Sequence, residues 1–104
     1  MKQLTKNLLK MNFIGLDLSN VSKIEFAFAQ NIGETPLKTA TYPNEKATLV
    51  VENVIGVEWT PEETALFKAG KPFYVDTRIT LIDSIYQPET PILKLTMNPT
   101  LFEE

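Results

Sequence analysis

Acid–base chemistry in this sequence falls to carboxylates, because its 104 residues include no histidine and no cysteine. Those absences remove the thiolate nucleophile, the imidazole base, the Ser-His-Asp triad, the disulfide, and the zinc or iron–sulfur sites built on such ligands. Glycosidase-type catalysis needs two carboxylates facing each other across a cleft, one with a raised pKa. The aspartates are Asp17, Asp76 and Asp83. Asp17 precedes a Ser-Asn pair and Asp83 precedes a serine, which is the setting of turn residues. Glu62 and Glu63 are accounted for by helix capping. No Asp-x-Asp-x-Asp-Gly calcium loop, Gly-x-Gly-x-x-Gly or phosphate loop occurs, and the 4 glycines are too dispersed to cradle a phosphate. The expectation is a chain with no catalytic, cofactor-binding or metal residues, and so not an enzyme.

Recognition is the chemistry that remains. Arg78 is the sole arginine, and period-2 spacing puts it on one strand face with Asp76 and Tyr74. That trio reads either as a cross-strand ion pair on a solvated face or as a recognition patch, since Tyr and Arg are enriched at binding hot spots. Trp59 precedes a helix start, where it either covers a core edge or contacts a ligand. The tail Leu101-Phe102-Glu103-Glu104 either folds back or docks a partner. The candidate interaction surface is therefore Trp59, Tyr74, Asp76, Arg78 and Phe102. In an alternative, Trp59, Tyr74 and Tyr86 form an aromatic platform for peptide or carbohydrate. Phe13, Phe26, Phe28, Phe67 and Phe73 are expected in the core.

The elements that position these residues are mostly strands. Lys23 to Gln30 alternates, with Ile24, Phe26 and Phe28 on one face and Glu25, Ala27 and Ala29 on the other. Residues 31–36 form a loop, and Leu37 to Tyr42 a second strand. At Tyr42-Pro43-Asn44-Glu45 a turn is expected, with Pro43 second and Asn44 third. Ala47 to Glu52 is a further strand, which Val54 to Trp59 continues with a bend at Asn53 or Gly56. The longest strand is Pro72 to Ile82, with Phe73, Val75, Thr77, Ile79 and Leu81 sharing a face. A turn at 87–90 leads to a last strand from Pro91 to Met97. The 7 prolines punctuate the chain as short strands require.

One helix is expected near residues 61–69. Thr60-Pro61-Glu62-Glu63 is a capping box with proline at the first helical position. Lys68 falls at its negative end and Gly70 supplies a left-handed stop. A helix this short needs tertiary support, so Leu66 and Phe67 should dock on the sheet. The N-terminus reads two ways. Leu4, Leu8 and Met11 have helical spacing beside Lys2, Lys6 and Lys10, whereas Leu9, Met11 and Phe13 alternate as a strand. The strand is preferred, with a bulge just before Gly15, where the alternation changes phase.

Length predicts a single domain over 1–104. Net charge of −3 gives no basic face for nucleic acid, and no apolar run is long enough to span a membrane. Polar residues interrupt the first seven positions, so no secretion signal is expected. About seven short strands and one helix describe a mainly β fold, an immunoglobulin-like β-sandwich.

The order of Leu16-Asp17-Leu18-Ser19-Asn20-Val21 before Ile24-Glu25-Phe26, then Trp59-Thr60-Pro61-Glu62-Glu63-Thr64, Phe67, Gly70 and Tyr74 to Ile79, resembles small immunoglobulin-like proteins of bacteriophage and prophage tail and baseplate modules. The resemblance covers roughly residues 14–82. It implies a non-catalytic structural or protein-interaction role, in the virion or in the cytoplasm before assembly, with phage structural subunits or further copies of the chain as partners. The alternative is a cellular peptide- or carbohydrate-binding module.

Overall fold

Strict alternation along two long segments produces the larger of two sheets. The computed structural model describes residues 1–2, 4–13, 18–31, 33–43, 46–86 and 93–97. In chain order the strands are β1 (Asn7–Asn12), β2 (Val21–Ala29), β3 (Lys38–Tyr42), β4 (Ala47–Val51), β5 (Val54–Trp59), β6 (Pro72–Leu81), β7 (Ile85–Tyr86) and β8 (Leu93–Thr96). Helix α1 (Pro61–Ala65) lies between β5 and β6. One sheet has three strands in the order β1-β5-β4, and the other has five, β3-β2-β6-β7 with β8 also on β6. The pairings between these strands are antiparallel. The expected mainly β architecture, a small β-sandwich, is what the chain adopts.

The core fills the space between the sheets. Ile24, Phe26 and Phe28 of β2 and Phe73, Val75 and Ile79 of β6 are buried, as the alternation predicts. They meet Met11, Ile55, Val57 and Trp59 of the smaller sheet. Trp59 is the hub, with ring centroids of Phe28, Phe67 and Phe73 at 4.9, 5.4 and 5.7 Å. Each such aromatic pair adds about 1 kcal/mol beyond simple burial.

The N-terminal segment is the strand β1, with Met11 inward; the expected bulge before Gly15 lies outside the described residues. The segment 47–59 is not one bent strand. It reverses at Glu52-Asn53 into the β4–β5 hairpin, with Asn53 at φ +62°, a left-handed value that asparagine tolerates. Likewise the chain turns at residues 82–84 after β6 into the short β7, a strand that the sequence pattern, which ends the long strand at Ile82, does not mark. The Tyr42–Pro43 bond is cis, and Asn44 and Glu45 lie outside the described residues, as does the 87–90 turn.

The helix begins as expected and ends early. Thr60 Oγ1 accepts from the Glu63 amide at 3.2 Å, and Glu63 Oε1 accepts from the Thr60 amide at 2.9 Å, completing the capping box. The helix stops at Ala65, four residues short of the expected end, so Lys68 lies beyond it. Gly70 does adopt φ +75°, but at the corner into β6, where its amide donates to the Met97 carbonyl at 2.6 Å. Phe67 docks in the core, whereas Leu66 stays 54% exposed. The fourth helical position, where an apolar residue would staple onto Trp59, belongs to Thr64. Its side chain is buried, accepting from the Thr5 amide at 3.3 Å and donating to the Pro61 carbonyl at 3.0 Å.

Candidate functional site

Two outward residues of β2, Ala27 and Ala29, are small, and their neighbours are larger. Ala27 pairs with Thr39 of β3 on one side and with Asp76 of β6 on the other. Ala29 pairs with Tyr74, and Glu25 lies between Thr41 and Arg78. A single Cβ at 27 and 29, flanked by longer side chains, sinks a trough along the outer face of the five-stranded sheet. Its larger part encloses about 320 Å³ between Thr39 and Thr41 on one wall and Asp76 and Arg78 on the other. A second hollow of about 230 Å³ continues it past Ala29 and Tyr74 to the 31–36 loop, where Glu34 and Pro36 line it. Ala27 and Asp76 line both.

Charge is distributed unevenly along this trough. Arg78 donates from Nε and Nη2 to the two carboxylate oxygens of Glu25, both at 2.9 Å. Lys23 stands 3.6 Å from the same carboxylate. The Arg78 hydrogen bond holds the Glu25 carboxyl below its ordinary pKa, and Glu25 in turn raises that of Arg78. Asp76 Oδ1 accepts from the amide of Thr77 at 2.9 Å, and no cation lies within ion-pair distance of it among the described residues. Lys94 of β8 places its ammonium 6.0 Å from the Tyr74 ring centroid.

Tyr74, Asp76 and Arg78 therefore share one surface, as their spacing predicts. Arg78 is ion-paired across strands, but to Glu25 of β2. Trp59 does not belong to this surface. It is 1% exposed at the centre of the core, so its place in a candidate interaction face is corrected: inward alternation on β5 and three aromatic neighbours take the ring away from solvent. Its Nε1 has no hydrogen-bond partner among the described residues. Tyr86 supplies backbone to β7, paired with Ile79. Phe102 lies outside the described residues. Sequence reasoning missed Glu25, Thr39 and Thr41 as trough residues; the alternation of β2 marked Glu25 as outward, but only strand register brings it to Arg78.

A second polar cluster has a structural explanation. Lys38 donates to Glu63 Oε2 at 2.7 Å, and Lys46 lies 2.9 Å from the same oxygen. Burial raises the Glu63 pKa, but hydrogen bonds from Lys38, Lys46 and the Thr60 amide outweigh it and bring the value down to about 2. Burial pulls the Lys38 pKa down against the opposing pull of Glu63. Its ammonium also lies 5.0 Å from the Trp59 ring centroid, a cation–π contact. Among the described residues no three carboxylates gather where a metal ion could sit, and no helix is long and apolar enough to cross a membrane. Comparison with family models, with curated proteins and with solved structures gives no match.

Proposed function

We propose that this chain is a non-catalytic protein-interaction module that engages a protein partner through the alanine-floored trough on the outer face of its five-stranded sheet. The observation that supports this reading is the juxtaposition of Ala27 and Ala29 with Tyr74, Asp76 and Arg78. Small residues let a partner approach the backbone, while Tyr and Arg are the side chains that most often anchor interfaces. Asp76 offers a carboxylate oxygen to a donor on the partner. Open and shallow, the trough suits protruding side chains of another protein better than an enclosed small molecule. An aromatic platform for carbohydrate is less well supported, since Trp59 is in the core.

As partner we propose a phage or prophage tail or baseplate subunit, a narrower reading that rests on the resemblance of residues 14–82 alone. The test fills the trough from a position outside the core. Wild-type protein and Ala27→Tyr are immobilised in parallel and exposed to lysate of the native source, and retained proteins are quantified. Selective loss of a defined protein with Ala27→Tyr supports the reading; identical retention contradicts it. Tail or baseplate proteins among those lost support the narrower assignment.

A further inference from the structure

The two hollows of the trough differ in charge. In the larger one Arg78 is already neutralised, because both Glu25 oxygens take its donors at 2.9 Å. The smaller one, of about 230 Å³, has no basic residue in its lining. Tyr74 walls it, and Asp76 of β6 and Glu34 of the 31–36 loop are its charged groups. All 10 lysines and arginines of the chain lie among the described residues, and none is within ion-pair distance of either carboxylate. Neutral donors hold these carboxylates instead. Asp76 Oδ1 accepts from the Thr77 amide and Glu34 Oε1 from Asn31 Nδ2, both at 2.9 Å. Lys94 reaches the Tyr74 ring from β8, 6.0 Å from its centroid, without lining the hollow. Two carboxylates against that lysine leave the hollow negative. Its volume falls below the roughly 300–1,000 Å³ of small-molecule pockets, which suits a single side chain.

We propose that this hollow receives an arginine side chain of the protein partner, its guanidinium between Asp76 and Glu34 and against the Tyr74 ring. The proposal rests on the reading of the trough as an interaction face, and it names what enters there. Charge complementarity selects a cation. An aromatic wall beside two carboxylates selects arginine over lysine: a guanidinium is planar and weakly hydrated, stacks on aromatic faces, and has donors enough for both carboxylates. Ala27 and Ala29 line the same hollow and leave room for the aliphatic stem. Among the described residues no third carboxylate joins the two, so a metal ion lacks its ligand set.

Small probes test the hollow without the partner. N-acetyl-arginine amide is titrated into the chain at low salt and followed through the backbone amide resonances of Ala29, Glu34 and Asp76. N-acetyl-citrulline amide is the neutral isostere, and N-acetyl-lysine amide the other cation. Saturable shifts are expected with arginine, about threefold weaker binding with lysine, and no shifts with citrulline. Asp76→Asn and Glu34→Gln keep the acceptor oxygens that hold Thr77 and Asn31 and remove only the charge. Each should weaken arginine binding about threefold, and the double variant about tenfold. No saturable shift with arginine, equal binding of citrulline or lysine, or wild-type binding by the double variant overturns the proposal. The trough reading fails separately, through identical lysate retention by wild type and Ala27→Tyr. A protein lost with Ala27→Tyr but fully retained by the double variant removes the arginine and leaves the trough.

Discussion

Lys38 and Glu63 meet at 2.7 Å, with the lysine side chain wholly buried and its ammonium set against the Trp59 ring. One carboxylate thereby does two jobs. Its Oε1 closes the capping box on Thr60, and its Oε2 holds a lysine from β3 and Lys46, just before β4. A five-residue helix has too few internal hydrogen bonds to persist alone. The ion pair anchors it to the five-stranded sheet, and Thr64 anchors it to the N-terminal segment.

Removing Glu63 strands a buried cation, a loss of about 3–5 kcal/mol by comparison with other broken buried pairs. Glu63→Ala is expected to show such a loss in urea unfolding. The acid response follows from the same residue. Its folded pKa of about 2 lies below the ordinary 4.5, so its stabilisation is present above pH 4.5 and is lost as pH falls toward about 2. On the order of 1–3 kcal/mol should disappear across that window, and Glu63→Gln should lack this part of the acid dependence.

Gly56 is held to glycine by its neighbours. A Cβ there would lie 2.8 Å from Val50 Cγ2 and 2.9 Å from Leu8 Cδ1. Gly56→Ala is expected to destabilise the fold by about 1 kcal/mol, the cost of turning the exposed Val50 and Leu8 side chains aside. Thermal unfolding checks this, and a variant as stable as wild type would place the outer face of β5 differently.

Thr77 points into the core with 2% exposure, and its hydroxyl has no partner among the described residues. Valine has nearly the same shape and no polar atom to desolvate. Thr77→Val should therefore stabilise the fold by about 1 kcal/mol.

The Glu25–Arg78 pair is well aligned but solvated, with half of the arginine side chain exposed. Exposed pairs contribute little to folding. Arg78→Gln is expected to leave the melting temperature at the wild-type value while weakening partner capture, which separates recognition from stability at this position.

The inward faces of β2 and β6 were legible because bulky apolar residues recur at every second position from Ile24 to Phe28 and, with Thr77 the exception, from Phe73 to Ile79. The helix start was legible too, because a capping box is a local pattern of four residues. Its end was not: Gly70 has the left-handed backbone of a helix stop, yet a contact with Met97, far along the chain, decides where it is used. The Asn53 reversal was legible only as a bend, because the polar Glu52-Asn53 pair carries neither proline nor glycine to mark a full turn. The candidate site divides the same way. Tyr74, Asp76 and Arg78 share a face by spacing alone, while the Arg78 partner lies 53 positions away and depends on β2–β6 register. Trp59 beside a helix start suited a core edge better than a ligand contact, and the packing of Phe28, Phe67 and Phe73 around it places the ring in the core.

The most direct measurement on the trough is site-specific photo-cross-linking in the native source. A photoreactive side chain is placed in turn at Thr39, on the trough wall, and at Leu66, exposed on another part of the surface. The interaction reading predicts a discrete protein adduct at position 39, abolished by Ala27→Tyr, and none at position 66. Equal adducts at both positions, or none at position 39, would contradict it.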